Sequence, residues 1–311
     1  MINFRYHLVS LAAVFLALAV GVLIGYGVLD QPTRDFLQDR INTVEANAEQ
    51  RRQENEVLRT EVEQLDASID ATGPFALTDR LTNVPVLVVA VRGLDDGTVK
   101  RAIELARRGR ADAPGVLWLE GKWVLPEAAD RNALAEAVGA ADGTRSAVRT
   151  QGWQALAARL ISGRPIGTDV LRTLSDAGFV TFEGVGDPGN VALADLGGSS
   201  ARALLMVGTD GEIPARFVTE PFARAAVATR LPLVSAELFR AEEGKAGRGA
   251  LVAPVRSDEA LAGNVSTVDD LDASSGVVVA LLAVADLGRG VVGHYGFGEG
   301  AAAAAPPWWQ T

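Results

Sequence analysis

The run VPVLVVAV at residues 84–91, followed by DDGTVKRAIELARR at 95–108, sets the fold class. The first is a continuous apolar stretch, the pattern of a strand buried on both faces. The second carries acids at its start, where a helix dipole favours them, and then repeats its apolar residues at helical spacing. A doubly covered strand leading into a helix belongs to a parallel sheet between helical layers. Toward the C-terminus, PGVLWLE (114–120), GFVTFEGV (178–185), RALLMVG (202–208) and LPLVSAEL (231–238) read as further strands. Helical spacing recurs around 131–139, 152–161, 168–177, 215–229 and 274–287. Residues 84–298 are therefore expected to form an α/β domain with a mostly parallel sheet, long enough for one sizeable core. The tail 299–311, rich in Ala and Pro, is expected to be disordered.

Toward the N-terminus the composition changes twice. After a short flank (1–7), residues 8–29 read LVSLAAVFLALAVGVLIGYGVL without one charge. A helix of that length reaches about 33 Å, enough to cross a hydrocarbon core of about 30 Å. Apolar cores of cleaved signals are usually shorter, about 7 to 15 residues. Cleavage at the A-x-A of Ala17 and Ala19 would leave an apolar new terminus, so the segment reads as a retained signal-anchor with the bulk of the chain exported. Lys and Arg near its ends do not settle the direction. No cysteine is present to carry a lipid. Gly21 and Gly25 form a G-x-x-x-G, the spacing that lets two membrane helices approach closely.

Residues 30–70 follow a heptad. With Ile41 at position a, the a positions are Ile41, Ala48, Asn55, Val62 and Ile69, and the d positions Leu37, Val44, Arg51, Leu58 and Leu65. Such sustained periodicity indicates a coiled-coil stalk, and a shared anchor favours parallel pairing. Asn55 has the place of a buried polar residue that fixes register. In a parallel pair Arg40 would face Glu45 and Glu54 would face Arg59, whereas Glu61 against Asp66 repels. The expected assembly is a parallel homodimer or higher homo-oligomer, held to the membrane through 8–29. Residues 71–83, with Gly73–Pro74, read as a linker.

The chain has 311 residues and a formal net charge of −10, which with no basic patch argues against nucleic-acid binding. Without cysteine there is no disulfide and no thiolate metal site. GVGDPG at 184–189 matches G-x-G-x-x-G after a strand, but no helical pattern follows to face a pyrophosphate, so it reads as a loop. STVDDLD (266–272) clusters three aspartates that suit a hard cation, or a polar loop in which Asp272 or Ser274 caps the helix starting near 274. His294 in VVGHYGFGEG (291–300) is the single histidine beyond the N-terminal flank. No G-x-S-x-G, H-E-x-x-H or Walker A occurs, and no enzyme is expected.

The opening FRYHLVSLAAVFLALAVGVLIG, the heptad stalk, STVDDLD and the closing GHYGFG together resemble the actinobacterial copper-transporter family, that of mycobacterial copper transport protein B. The resemblance implies copper efflux or homeostasis at the cell envelope. It also brings in relatives implicated in cell separation, which work with a membrane partner on a peptidoglycan hydrolase. The residues supply few copper ligands, because thiolates are missing and imidazole and thioether are scarce. His294 and Met206 are the candidates. A non-catalytic envelope scaffold that binds or regulates a cell-wall partner is the alternative. If the heptad pairs two copies, a Leu58→Asp/Leu65→Asp double variant is expected to run as a monomer in crosslinking, while the parent chain crosslinks as a dimer.

Overall fold

The computed structural model describes residues 4–28, 30–141, 143–163, 165, 167–185, 192–240 and 247–307. The chain divides into two compact units, Met1–Leu65 and Asp66–Thr311. In the first, helix α1 (Phe4–Val28) contains a stretch, Arg5–Gly25, that is long and apolar enough to cross a membrane and buries none of its surface inside the protein. Helix α2 (Asp30–Leu77) carries the heptad. Leu37, Ile41, Val44, Leu58, Val62 and Leu65 are all exposed along it. Asn55 turns its side-chain amide back to the Arg51 carbonyl at 2.7 Å. Ile69 differs from the expected seam: it packs against the hydrophobic core of the second unit.

The segment read as a linker begins as helix. Residues 71–77 complete α2, and Leu77 and Leu81 are fully buried. Gly–Pro normally ends a helix because proline lacks an N–H and leaves the carbonyl four residues earlier unpaired. Here that carbonyl, of Asp70, accepts a hydrogen bond from Arg108 at 3.1 Å. At Gly73 a Cβ would come 2.9 Å from Val278, so the glycine lets a neighbouring helix approach.

The second unit is built on a seven-stranded sheet of order β3-β2-β1-β4-β5-β6-β7, comprising β1 (Val86–Val91), β2 (Gly115–Leu119), β3 (Val180–Gly184), β4 (Arg202–Gly208), β5 (Leu233–Leu238), β6 (Val265–Val268) and β7 (His294–Tyr295). All neighbours are parallel except the edge pair β2–β3. The five expected strands are present. Strands β6 and β7 were not anticipated, being short and hidden inside STVDDLD and GHYGFG. Between the strands run α3 (Asp96–Arg108), α4 (Ala128–Val138), α5 (Arg145–Ser162), α6 (Val170–Asp176), α7 (Thr219–Thr229), α8 (Ala253–Ser257), α9 (Glu259–Ala262) and α10 (Ser274–Leu287). Helix α10 packs on β4, β5, β6 and α3, while α5 packs on α4 and α7. At the centre of the latter layer Trp123 and Trp153 stack at 3.6 Å, with Phe179 and Phe222 edge-on to them.

In such a sheet the order reverses between β1 and β4, and ligands of open α/β sheets bind at the strand carboxyl ends there. The chain fills that crevice itself. A Cβ at Gly93 would lie 2.7 Å from the Asp210 carbonyl, at Gly208 2.6 Å from Leu94, and at Gly211 2.9 Å from Val91. Beside the crevice, Arg92 at the end of β1 pairs with Glu120 at the end of β2 at 2.9 Å. The G-x-G-x-x-G stretch lies, from Gly186 onward, outside the described residues.

The tail expected to be disordered from 299 is ordered as far as Pro307. Ala302 N–H bonds the His294 carbonyl at 2.8 Å, Gly296 N–H bonds Ala303 at 3.0 Å, and Pro306 is buried. The caps of α10 also differ from expectation. Asp272 pairs elsewhere, and the first amide of the helix, Ser274 N–H, is accepted by Asp66 of α2 at 3.2 Å. The Ser274 hydroxyl accepts from Arg101 at 2.9 Å. An Asp66→Ala variant is expected to lose about 1 kcal/mol of domain stability in urea denaturation, the usual cost of a lost N-terminal cap. Glu63→Ala, at an exposed position of the same helix, is expected to change stability by less than about 0.5 kcal/mol.

Candidate functional site

The two short stretches STVDDLD and GHYGFG meet at the carboxyl end of β5, β6 and β7. Strand β6 ends at Val268, and Asp269 follows at its carboxyl end with no exposed surface. A buried carboxylate needs charge and hydrogen bonds around it. Arg256 of α8 lies 2.8 Å away, and the N–H groups of Phe297 and Gly298 donate at 2.9 and 3.0 Å. The glycines of GHYGFG follow from this geometry. Gly296 has φ +121°, and a Cβ there would collide with the Asp269 carboxylate.

Each of the three nitrogens of Arg256 is engaged. Its Nε donates to Thr267 Oγ1 at 2.8 Å, and its two terminal nitrogens also reach the carbonyls of Glu299 and Tyr295 at 2.8 and 2.9 Å. Thr267 Oγ1 in turn lies 2.9 Å from His294 Nδ1. A guanidinium can only donate, so the threonine accepts from it, while its bond with Nδ1 runs in the direction the imidazole tautomer sets. That arrangement fits a neutral imidazole. Burial, with the charge of Arg256 beside it, lowers the His294 pKa from its ordinary value.

Two further acids complete the cluster. Glu237 on β5 is buried and accepts Gly249 and Leu251 N–H at 3.0 and 2.8 Å; burial raises its pKa, partly offset by those bonds. Asp272 makes a two-toothed pair with Arg248 at 2.7 and 2.8 Å, and Arg248 lies over the Phe239 ring. Asp270 stands apart. It is 2% exposed, and its Oδ1 is buried with no hydrogen-bond partner. Burial first, and the neighbouring Asp269 second, push it up to about 6.

The metal candidates do not converge. Met206 aligns across the sheet with Ala236, Val268 and Tyr295, whereas His294 aligns with Thr267 and Ser235. Residues one position apart in register point to opposite faces, so Met206 and His294 lie on different sides of the sheet. Two strands, β5 and β6, also separate them, about 14 Å at the usual spacing. Among the described residues no group of three or more His, Cys, Asp or Glu is placed to hold a metal ion. Gly21 and Gly25 on α1 have open space around their Cα atoms, and the seam residues Leu37, Ile41, Val44, Leu58, Val62 and Leu65 of α2 are exposed. The residues that sequence reading missed are Arg248, Arg256 and Glu237. A glutamate inside the apolar run LPLVSAEL was the available signal.

What these features define is a protein with an apolar N-terminal helix fit to cross a membrane, a long heptad helix, and an α/β domain whose ligand crevice is closed. The family described as "Copper transport outer membrane protein, MctB" matches residues 1–306, and the chain belongs to it. Relatives named copper transporter MctB from Mycobacterium bovis and Mycobacterium tuberculosis are each 29% identical over 322 residues, covering 97% of this chain and 98% of the relative. One of the same name from Mycobacterium leprae is 28% identical over 339 residues, covering 99% and 100%. An Arg256→Ala variant, which strands Asp269 as a buried unpaired charge, is expected to cost about 3–5 kcal/mol in urea denaturation.

Proposed function

We propose that this chain serves copper transport at the cell envelope as a membrane-anchored, self-associating protein that does not itself hold the metal in its α/β domain. The observation that carries the reading is the family match over residues 1–306, which takes in anchor, heptad and domain together. The relatives' names speak of copper transport and give no support to a role in cell separation. The absence of direct ligation is argued from the donors. His294 offers one nitrogen after Thr267 has taken Nδ1, and Met206 is buried on the other face of the sheet. One span per chain makes no pore alone, so a transport role calls for assembly. The exposed seam from Leu37 to Leu65 suits a parallel pairing of copies.

A strain lacking the chain is expected to tolerate several-fold less copper and to retain more of it. His294→Ala and Met206→Leu are expected to restore tolerance fully, and the purified full-length protein to bind neither Cu(I) nor Cu(II) stoichiometrically against chelators. Unchanged tolerance in the deletion strain overturns the copper reading. Micromolar or tighter binding lost in either variant overturns the indirect one.

A further inference from the structure

Every charged group in the cluster at the end of β6 is answered by a partner except one. Asp270 is 2% exposed and keeps an Oδ1 buried without a hydrogen bond. Its surroundings are tight. A Cβ at Gly276, in the first turn of α10, would collide with the Asp270 carbonyl and come 2.8 Å from its carboxyl carbon. The Asp270 carbonyl also accepts Ala273 N–H at 3.0 Å, which sets the turn leading into α10. That same first turn is where Asp66 and Arg101 fasten α2 and α3 to the domain, through Ser274.

We propose that Asp270 is a proton-operated latch: neutral, it lets the first turn of α10 close on the end of α2, and charged, it loosens that junction. The groups around it are Asp269 and Asp272 on its own loop and Arg248 from the segment after β5. Glu237 lies across on β5, and Asp66, Asp70 and Arg101 lie on α2 and α3 at the Ser274 end. The first turn of α10 itself, Ser274, Ser275 and Gly276, has nothing that titrates. Arg248 makes its ion pair with Asp272 and acts on Asp270 only through its charge.

The direction follows from linkage. A carboxyl raised from 3.8 to about 6 in the folded state binds a proton that the opened state releases. Stability from this group is therefore full below about 4 and is lost as pH rises through about 6. Glu237 titrates in the same sense and His294 in the opposite one, so the comparison of variants decides.

The test is amide hydrogen exchange on the full-length protein in detergent, corrected for intrinsic exchange rates, between pH 4 and pH 7. In the parent chain, opening of the segment 273–278 is expected to rise by up to about tenfold per pH unit between 4 and 6 and then level off. Asp270→Asn, neutral throughout, is expected to remove that rise, and Asp272→Asn to retain it. A rise that persists in Asp270→Asn, or its absence in the parent, overturns the proposal. Should Asp270→Asn fail to fold, the carboxylic C=O infrared band of a Glu237→Gln variant, which leaves Asp270 in place, decides. One buried carboxyl losing its proton near pH 6 supports the latch, and none doing so overturns it.

Discussion

Burying the Asp269 carboxylate without exposed surface costs several kcal/mol by desolvation, and the domain arranges two separate segments to offset it. Helix α8 supplies Arg256, and the glycine loop after β7 supplies two N–H groups. Arg256 then reaches the Glu299 and Tyr295 carbonyls, so the ion pair at the sheet end also holds the start of the tail. Short β7, two residues long, has little ladder of its own to keep it in the sheet. Its place is secured by the charge cluster more than by strand pairing. Replacing the pair with apolar groups of equal volume need not destabilise the domain, but removing one partner alone must.

The same economy governs the long helix. Up to Leu65 its apolar residues are exposed, and beyond it Ile69 and Leu77 pack into the core of the α/β domain. Asp66 sits at this change of use. In the parallel pairing that the heptad suggests, it would face Glu61 and repel it, which makes it a poor rim residue. In the domain it accepts the first amide of α10, where the helix dipole favours an anion. A residue that reads as a defect in the stalk is thus a cap for another helix.

Legibility in the sequence followed range of interaction. VPVLVVAV and LPLVSAEL are local patterns, and each became the expected strand because burial alone decides it, while the heptad stretch is helical. Gly73–Pro74 read as a break since proline's missing hydrogen bond is local. The bond that relieves it, from Arg108 to Asp70, spans 38 residues and leaves no local trace. The same holds for STVDDLD. Its aspartates pointed to a cation or a cap, yet Asp269 is answered by Arg256, Phe297 and Gly298, and Asp272 by Arg248. The poly-alanine tail lacked any periodic signal, and its order comes from pairing beside β7.

Family membership and ligand chemistry pull in different directions here. The family name speaks of copper transport, while the described residues of the α/β domain offer one half-buried imidazole and one buried thioether on opposite faces of a sheet. A transport site needs several soft donors converging on one point with a path to solvent. A single sheet cannot supply that from His294 and Met206, because register fixes their faces and two strands fix their separation. Pairing two copies could bring His294 to His294, yet Thr267 already engages Nδ1 and the nearby Arg256 charge disfavours another cation. Among the described residues, most of the exposed large apolar side chains lie on α1 and along the heptad of α2. Whatever this protein contributes to copper handling therefore has more room to act through assembly than through coordination.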